Sequence, residues 1–275
     1  MKEYETYIFD LYGTLIDIHT DEEDPLLWEK MADYLKENFA AEYTPKVLRK
    51  RYLEICAEEE QNLAKESGAE FPEIKIDKVW VRLVLEGHRN DQCRKHSDND
   101  GIIEQHGDEK ADNLETSDEI CALCIFFREA SRDKLVVYEG VTETLDKLKK
   151  MGKGIYLLSN AQRVFTEKEL SDSHLTDYFD DIFISSDQGI RKPQKEFLQR
   201  LLTKNSLSYE KCVMIGNDIF SDVGVAFKNG MESVFLNTYD FSEKKIENEL
   251  SELGAKGSRL MPVIVGDGDI RRILP

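Results

Sequence analysis

No apolar run in the sequence is long enough to span a bilayer: "VWVRLVL" and "ICALCIFF" fall far short of the roughly 20 residues a membrane helix requires. Cysteine is scarce and odd in number, five in 275 residues, which argues against a disulfide framework and fits a reducing cytosol. Positive charge is in deficit. With 37 Lys and Arg against 55 Asp and Glu, a net charge of -18, and no basic stripe clear of acids, the chain is unsuited to nucleic acid or to an acidic membrane surface. The opening "MKEYETYIFD" enters a strand almost at once, without the apolar segment of a signal peptide, so a cytoplasmic location is expected.

An acidic chain can still hold a small anionic substrate where a few cations, backbone N–H groups or a metal reverse the local field. With 40% hydrophobic residues the chain can fill a large core, either as one domain with an insertion or as two domains. The mean hydropathy of -0.51 points to a polar excursion, and one runs from about residue 88 to 119, "HRNDQCRKHSDNDGIIEQHGDEKADNLETSDE". Almost without aromatic or β-branched anchors, it reads as a solvated, mobile insertion.

The first strand, roughly Thr6 to Phe9, leaves through a turn at Gly13. Helical patterns follow. "DPLLWEKMADYLKENFA" sets Leu27, Met31, Tyr34 and Leu35 on one face, and "TPKVLRKRYLEICAEEEQNLAKESG" opens with a Thr-Pro cap and closes at Gly68 with Leu48, Tyr52, Cys56 and Leu63 as its stripe. From Leu135 strands and helices alternate: "GIYLLSN", "DIFISS", "CVMIG", "ESVFLN" and "PVIVGD" are apolar strands between helical segments. Strands of that kind belong to a parallel sheet covered on both faces. The expected fold is therefore α/β, a three-layer Rossmann-like core with a parallel sheet (residues 1–17 and 135–275) and an inserted helical cap (18–134).

In such a sheet, ligands sit beyond the carboxyl ends of the strands. Four polar clusters fall there: Asp10 with Thr14, Ser159-Asn160, Lys192-Pro193, and "GNDIFSD". Their order and context resemble the haloacid dehalogenase superfamily, whose members use a strand-end aspartate as nucleophile. A carboxylate can attack phosphorus or an alkyl halide carbon when the electrophile is aligned and its charge neutralised, which splits the reaction into two steps. Asp10 is the expected nucleophile, Thr14 and Ser159 hydrogen-bond donors to the transferred group, and Lys192 the opposing cation. Asp218 and Asp222, four residues apart, are oxygen ligands suited to Mg²⁺, with Asp10, a backbone carbonyl and waters completing the set. The resemblance assigns that carbonyl to Tyr12.

Phosphatases of the superfamily generally carry an aspartate where Tyr12 stands, and 2-haloacid dehalogenases have a first motif similar to "FDLYGTL". A phenol is a weak donor and a poor base at neutral pH, whereas a halide leaves without a proton. Arg49 in "LRKRYLE" matches the cap arginine those dehalogenases use on substrate, and Tyr12 and Asn160 are further expected substrate contacts. Asp218 points the other way, because an extra acid would repel a carboxylate substrate. The favoured reading is a Mg²⁺-dependent phosphatase acting on a small phosphorylated metabolite through an aspartyl-phosphate intermediate. The alternatives are a 2-haloacid dehalogenase using the same Asp10 and a catalytically weak protein that binds anion and metal.

Plainer readings apply elsewhere. Tyr12 is expected to pack and close the floor of the site. Cys121 and Cys124 read as two buried thiols on a helix, since no second pair completes a zinc site. Cys93, His88, His96 and His106 are incidental to a polar stretch, and "HSDNDG" lacks the first and twelfth ligands of a calcium loop.

Overall fold

The computed structural model describes residues 2–95, 114 and 117–275, with 89–95 described by backbone alone. Most of the polar stretch 88–119 lies outside the described residues. Its first part does not begin a loop as expected, because the preceding helix continues through Lys95; Arg, Gln and Lys sustain a helix as well as most apolar residues do.

The chain forms two compact units, residues 1–18, 69–73 and 134–275, and residues 19–68 and 74–133. Strand β1 (Thr6–Phe9) is wholly buried. Next comes β2 (Ile16–Thr20), which pairs with β3 (Arg132–Val137) in a two-stranded sheet. The reading from sequence passed over β2, although the alternation of "IDIHT" is a strand signal.

The helical unit contains α1 (Pro25–Phe39), α2 (Pro45–Ser67), α3 (Ile76–Lys95) and α4 (Asp118–Ser131). Asp24 caps α1 through its side chain, and Pro45 starts α2, where its missing N–H costs nothing. Trp28, Tyr52, Trp80 and Phe127 pack with ring centroids 5.1 to 5.9 Å apart. Burying four such rings contributes about 1.5–3 kcal/mol each. Of the two helix thiols expected to be buried, Cys124 is and Cys121 is exposed.

In the α/β unit, α5 (Val141–Lys150), β4 (Gly154–Ser159), α6 (Arg163–Asp172), β5 (Asp181–Ile184), α7 (Ser185–Gln188), α8 (Lys195–Lys204), β6 (Cys212–Gly216), α9 (Gly224–Lys228), β7 (Glu232–Leu236), α10 (Glu243–Glu252) and β8 (Val263–Val265) follow in turn. The six-stranded sheet has the order β5-β4-β1-β6-β7-β8, every pair parallel. Side chains alternate across it. Tyr7 and Phe9 face the layer containing Leu145 and Leu148 of α5, and Ile8 faces the layer containing Phe197, Leu198 and Leu201 of α8. The three-layer Rossmann-like core is thus present. No helix of the described residues is long and apolar enough to cross a membrane.

Two details differ from the sequence reading. "SDVGVAFKNG" is not one helix, since a wide turn at Ile219–Val223 precedes α9. The segment 69–73, expected within the cap, belongs to the α/β unit. Pro72 forms an antiparallel bridge with Ile190, Arg191 N donates to Phe71 O at 3.0 Å, and Phe71 N donates to Gln194 Oε1 at 3.0 Å.

Candidate active site

β1 ends at Phe9, between Leu157 of β4 and Ile215 of β6, and Asp10 N still donates to Ile215 O at 2.9 Å. There the ladder stops. The N–H groups of Thr14, Leu15 and Ile16 converge on the Leu11 carbonyl, and Gly13 takes a φ of 80°, a left-handed conformation that only glycine adopts without cost. A Cβ at position 13 would also stand 2.2 Å from Asn217 Nδ2 and 2.6 Å from the Tyr239 hydroxyl. The tight turn leaves the Asp10 side chain at the carboxyl edge of the central strand, where β4 and β6 also end.

The Lys192 ammonium uses all three of its donors: to Asp10 Oδ1 at 2.7 Å, to Asp222 Oδ1 at 2.7 Å and to Leu158 O at 2.8 Å. It is 2% exposed. Removing that charge from water costs several kcal/mol, which two contacting carboxylates offset at about 4 kcal/mol each for an effective dielectric constant near 20. Burial pushes the Lys192 pKa down, Asp10 and Asp222 push it up, and the net direction is upward. Burial lifts Asp222 to about 7, Lys192 opposing the rise and Asp10 and Asp218 adding to it. Ser159 Oγ donates to Asp10 Oδ1 at 3.3 Å. Thr14 Oγ1 lies 3.2 Å from both Asp10 Oδ2 and Asn217 Oδ1, and its single proton serves one at a time.

Asp222 reaches the lysine by a local device. Gly216 ends β6 with no Cβ, and one there would lie 2.1 Å from Asp222 Oδ2. Asp218 caps the wide turn, its Oδ1 accepting from Ser221 N at 2.6 Å. The turn then returns Asp222 so that its Oδ2 accepts from Asp218 N at 3.0 Å.

Asp10, Thr14, Ser159, Lys192 and Asp222 therefore form one hydrogen-bonded group. Three assigned residues lie outside that group. Asn160 spends both ends of its amide on the backbone of Lys192, accepting from N at 2.8 Å and donating to O at 3.0 Å, and so positions the lysine. Tyr12 donates its hydroxyl to the buried Glu169 and lies 3.1 Å from Thr166 Oγ1, so its side chain anchors the turn to α6 as a packing residue. Arg49 belongs to the helical unit, where it pairs with Glu23. Tyr12→Phe removes a donor from a buried carboxylate, and urea unfolding is expected to show a loss of about 1–3 kcal/mol. An unchanged midpoint would mean that the phenol anchors nothing.

Asn217, Glu169 and Tyr239 were not singled out from sequence. Asn217 had a signal, since it lies inside "GNDIFSD". A glutamate on a helix and a tyrosine in a loop had none.

The donor set can be tested against a metal. Asp222 has one oxygen on Lys192 and the other on Asp218 N. Among the described residues Asp10 Oδ2 receives only the Thr14 contact, and Asp218 is exposed with one oxygen on Ser221 N. Two acids contact the one ammonium and Asp218 stands near Asp222 as a third, an excess of acidic groups that suits a cation. Among the described residues no three His, Cys, Asp or Glu side chains gather tightly enough to hold a metal alone. Asp10 and Asp218 thus fit an ion that keeps waters and shares substrate oxygens, as Mg²⁺ does.

Carboxylates and a buried lysine gathered at the carboxyl edge of a central parallel sheet define a doubly wound α/β enzyme site. The family model for haloacid dehalogenase-like hydrolases matches residues 4–230, and the chain belongs to that family. Among curated relatives it is similar to a glyceraldehyde 3-phosphate phosphatase of Pyrococcus furiosus, 25% identical over 39% of this chain and 45% of the relative. A pyrophosphatase PpaX of Bacillus cereus is 32% identical over 36% of this chain and 46% of that protein. The chain spans about half the length of the curated relatives it matches. In fold it is similar to a 2-haloacid dehalogenase of Pseudomonas syringae pv. Tomato, with a TM-score of 0.56 at 16% identity over 93% of this chain and all of the other. A HAD phosphatase of Thermococcus onnurineus gives a TM-score of 0.51 at 18% identity, covering 98% of this chain and 97% of that one.

Proposed function

We propose that this hydrolase is a Mg²⁺-dependent phosphatase acting on a small phosphorylated metabolite in the cytoplasm, with Asp10 as nucleophile. The observation that carries the reading is Asp218, an acid left over once Lys192 has paired with Asp10 and Asp222. A site built for a halocarboxylate would gain nothing from it. The names of the phosphatase and pyrophosphatase relatives support the same choice.

In this reading Asp10 attacks phosphorus, and the phosphoryl group rests on its carboxylate until water removes it. Lys192, Thr14 and Ser159 stabilise charge on the transferred oxygens. Asp222 and Asn160 keep Lys192 in place. Mg²⁺ held by Asp10 and Asp218 would supply further neutralisation of the phosphoryl charge.

Release of phosphate from p-nitrophenyl phosphate is expected to stop with EDTA and return with Mg²⁺. Asp218→Asn is expected to raise the Mg²⁺ needed for half activity by about tenfold or more. Halide release from L-2-chloropropionate that ignores EDTA would replace this reading with the dehalogenase one suggested by Tyr12. Metal and phosphate binding without turnover would favour the binding protein.

A further inference from the structure

A tyrosine from far along the chain covers the turn that follows Asp10. Tyr239 lies in the loop after β7, and the neighbouring Thr238 pins that loop by donating its hydroxyl to Gly13 O at 2.6 Å. The Tyr239 hydroxyl and Asn217 Nδ2 both crowd the face of Gly13 on which a Cβ would stand, 2.6 and 2.2 Å from it. Asn217 Oδ1 faces the Thr14 hydroxyl at 3.2 Å, so the amide turns Nδ2 toward the phenol. Nδ2 is a donor and cannot take the phenol's own hydrogen, which is left for a third group.

The position suits a substrate contact. Tyr239 stands beside Asn217, whose neighbour Thr14 reaches either Asn217 or Asp10; Asn217, Thr14 and Asp10 are all buried, whereas Tyr239 is 49% exposed. Tyr239 therefore stands at the solvent edge of that buried group. Tyr12, the phenol nearer in sequence, has its hydroxyl committed to Glu169.

We propose that Tyr239 is a catalytic residue whose phenol O–H donates to the ester oxygen leaving phosphorus; this rests on the phosphatase reading. As Asp10 forms its O–P bond, the ester P–O bond breaks and its electron pair stays on the ester oxygen. The Tyr239 proton passes to that oxygen, the alcohol departs and a phenolate remains. Water then attacks the phosphorus of aspartyl phosphate, the electron pair of the breaking bond returns to Asp10, and the water's proton returns to Tyr239. A phenol is a weak acid, but an alkoxide is far more basic than a phenolate, so the transfer is favourable for an alkyl ester. It is of little use to a nitrophenolate, which leaves unaided.

That contrast provides the test. Benzyl phosphate and p-nitrophenyl phosphate present similar rings but leaving groups of very different basicity. With Mg²⁺ present, Tyr239→Phe is expected to lower kcat for benzyl phosphate about 100-fold, within the range of general acid catalysis, and to lower that for p-nitrophenyl phosphate far less. Tyr12→Phe is expected to affect both substrates by one common factor. Equal losses on both substrates with Tyr239→Phe, or none on benzyl phosphate, would overturn the proposal. So would a wild-type protein that hydrolyses the nitrophenyl ester but not the benzyl ester. A wild-type protein that releases phosphate from neither ester would instead bring down the phosphatase reading, and this inference with it.

Discussion

Asp10→Asn is expected to lower phosphate release by at least about 10⁴-fold, the scale on which loss of a nucleophile is felt, while the urea midpoint stays close to that of the wild type. The substitution keeps size and one acceptor oxygen. Lys192 retains its bonds to Asp222 Oδ1 and Leu158 O, so no buried cation is stranded. The loss is therefore chemical: an amide oxygen cannot form the acyl phosphate. Turnover with p-nitrophenyl phosphate and equilibrium unfolding, measured on the same preparation, separate the two effects. Comparable turnover by the variant would remove Asp10 from the reaction.

Lys192→Met is expected to damage both stability and activity. Asp10 and Asp222 would face each other without the ammonium that now lies 2.7 Å from each. Breaking a buried pair by removing one partner costs about 3–5 kcal/mol, because the remaining charge has neither water nor counter-ion. Here two carboxylates are left, so the cost should fall at the upper end. Activity should drop by about 10²–10³-fold, the usual penalty for losing one electrostatic stabiliser of a transition state.

The double variant Lys192→Met/Asp222→Asn isolates the cause. It removes one stranded charge and should recover most of the lost stability, yet it should stay inactive. Urea unfolding of the three proteins reads this out. A single variant as stable as the wild type would show that the charges are not balanced against one another as described.

The α/β core was legible because each of its strands is an apolar run bounded by turn residues, and burial on both faces of a parallel sheet demands that pattern. β1 was read to the residue. Asp10, its lysine and the serine and threonine beside it were legible for a related reason: strand ends are visible in sequence, and a parallel sheet lines them up along one edge. The shape of the chain after β6 was not legible. "SDVGVAFKNG" has helical composition, but the cap from Asp218 and the return of Asp222 onto Asp218 N open the first turn into a wider one.

The partners of Asn160 and Tyr12 could not be read either, since each depends on what the side chain meets. An asparagine beside a strand-end serine looks the same whether it holds substrate or a lysine backbone. A tyrosine two residues after Asp10 reads as a packing residue, but its partner Glu169 stands 157 positions away. The sequence by itself determined the order of strands and helices, the acid at the end of β1, the later lysine and acid pair, and the glycines that let Asn217 and Asp222 approach the backbone. Only the tertiary structure decided which acids pair with the lysine, which one stays exposed, and which phenol is bonded to Glu169. Those choices are set by distances of a few ångströms between residues far apart in the chain, and no local pattern encodes them.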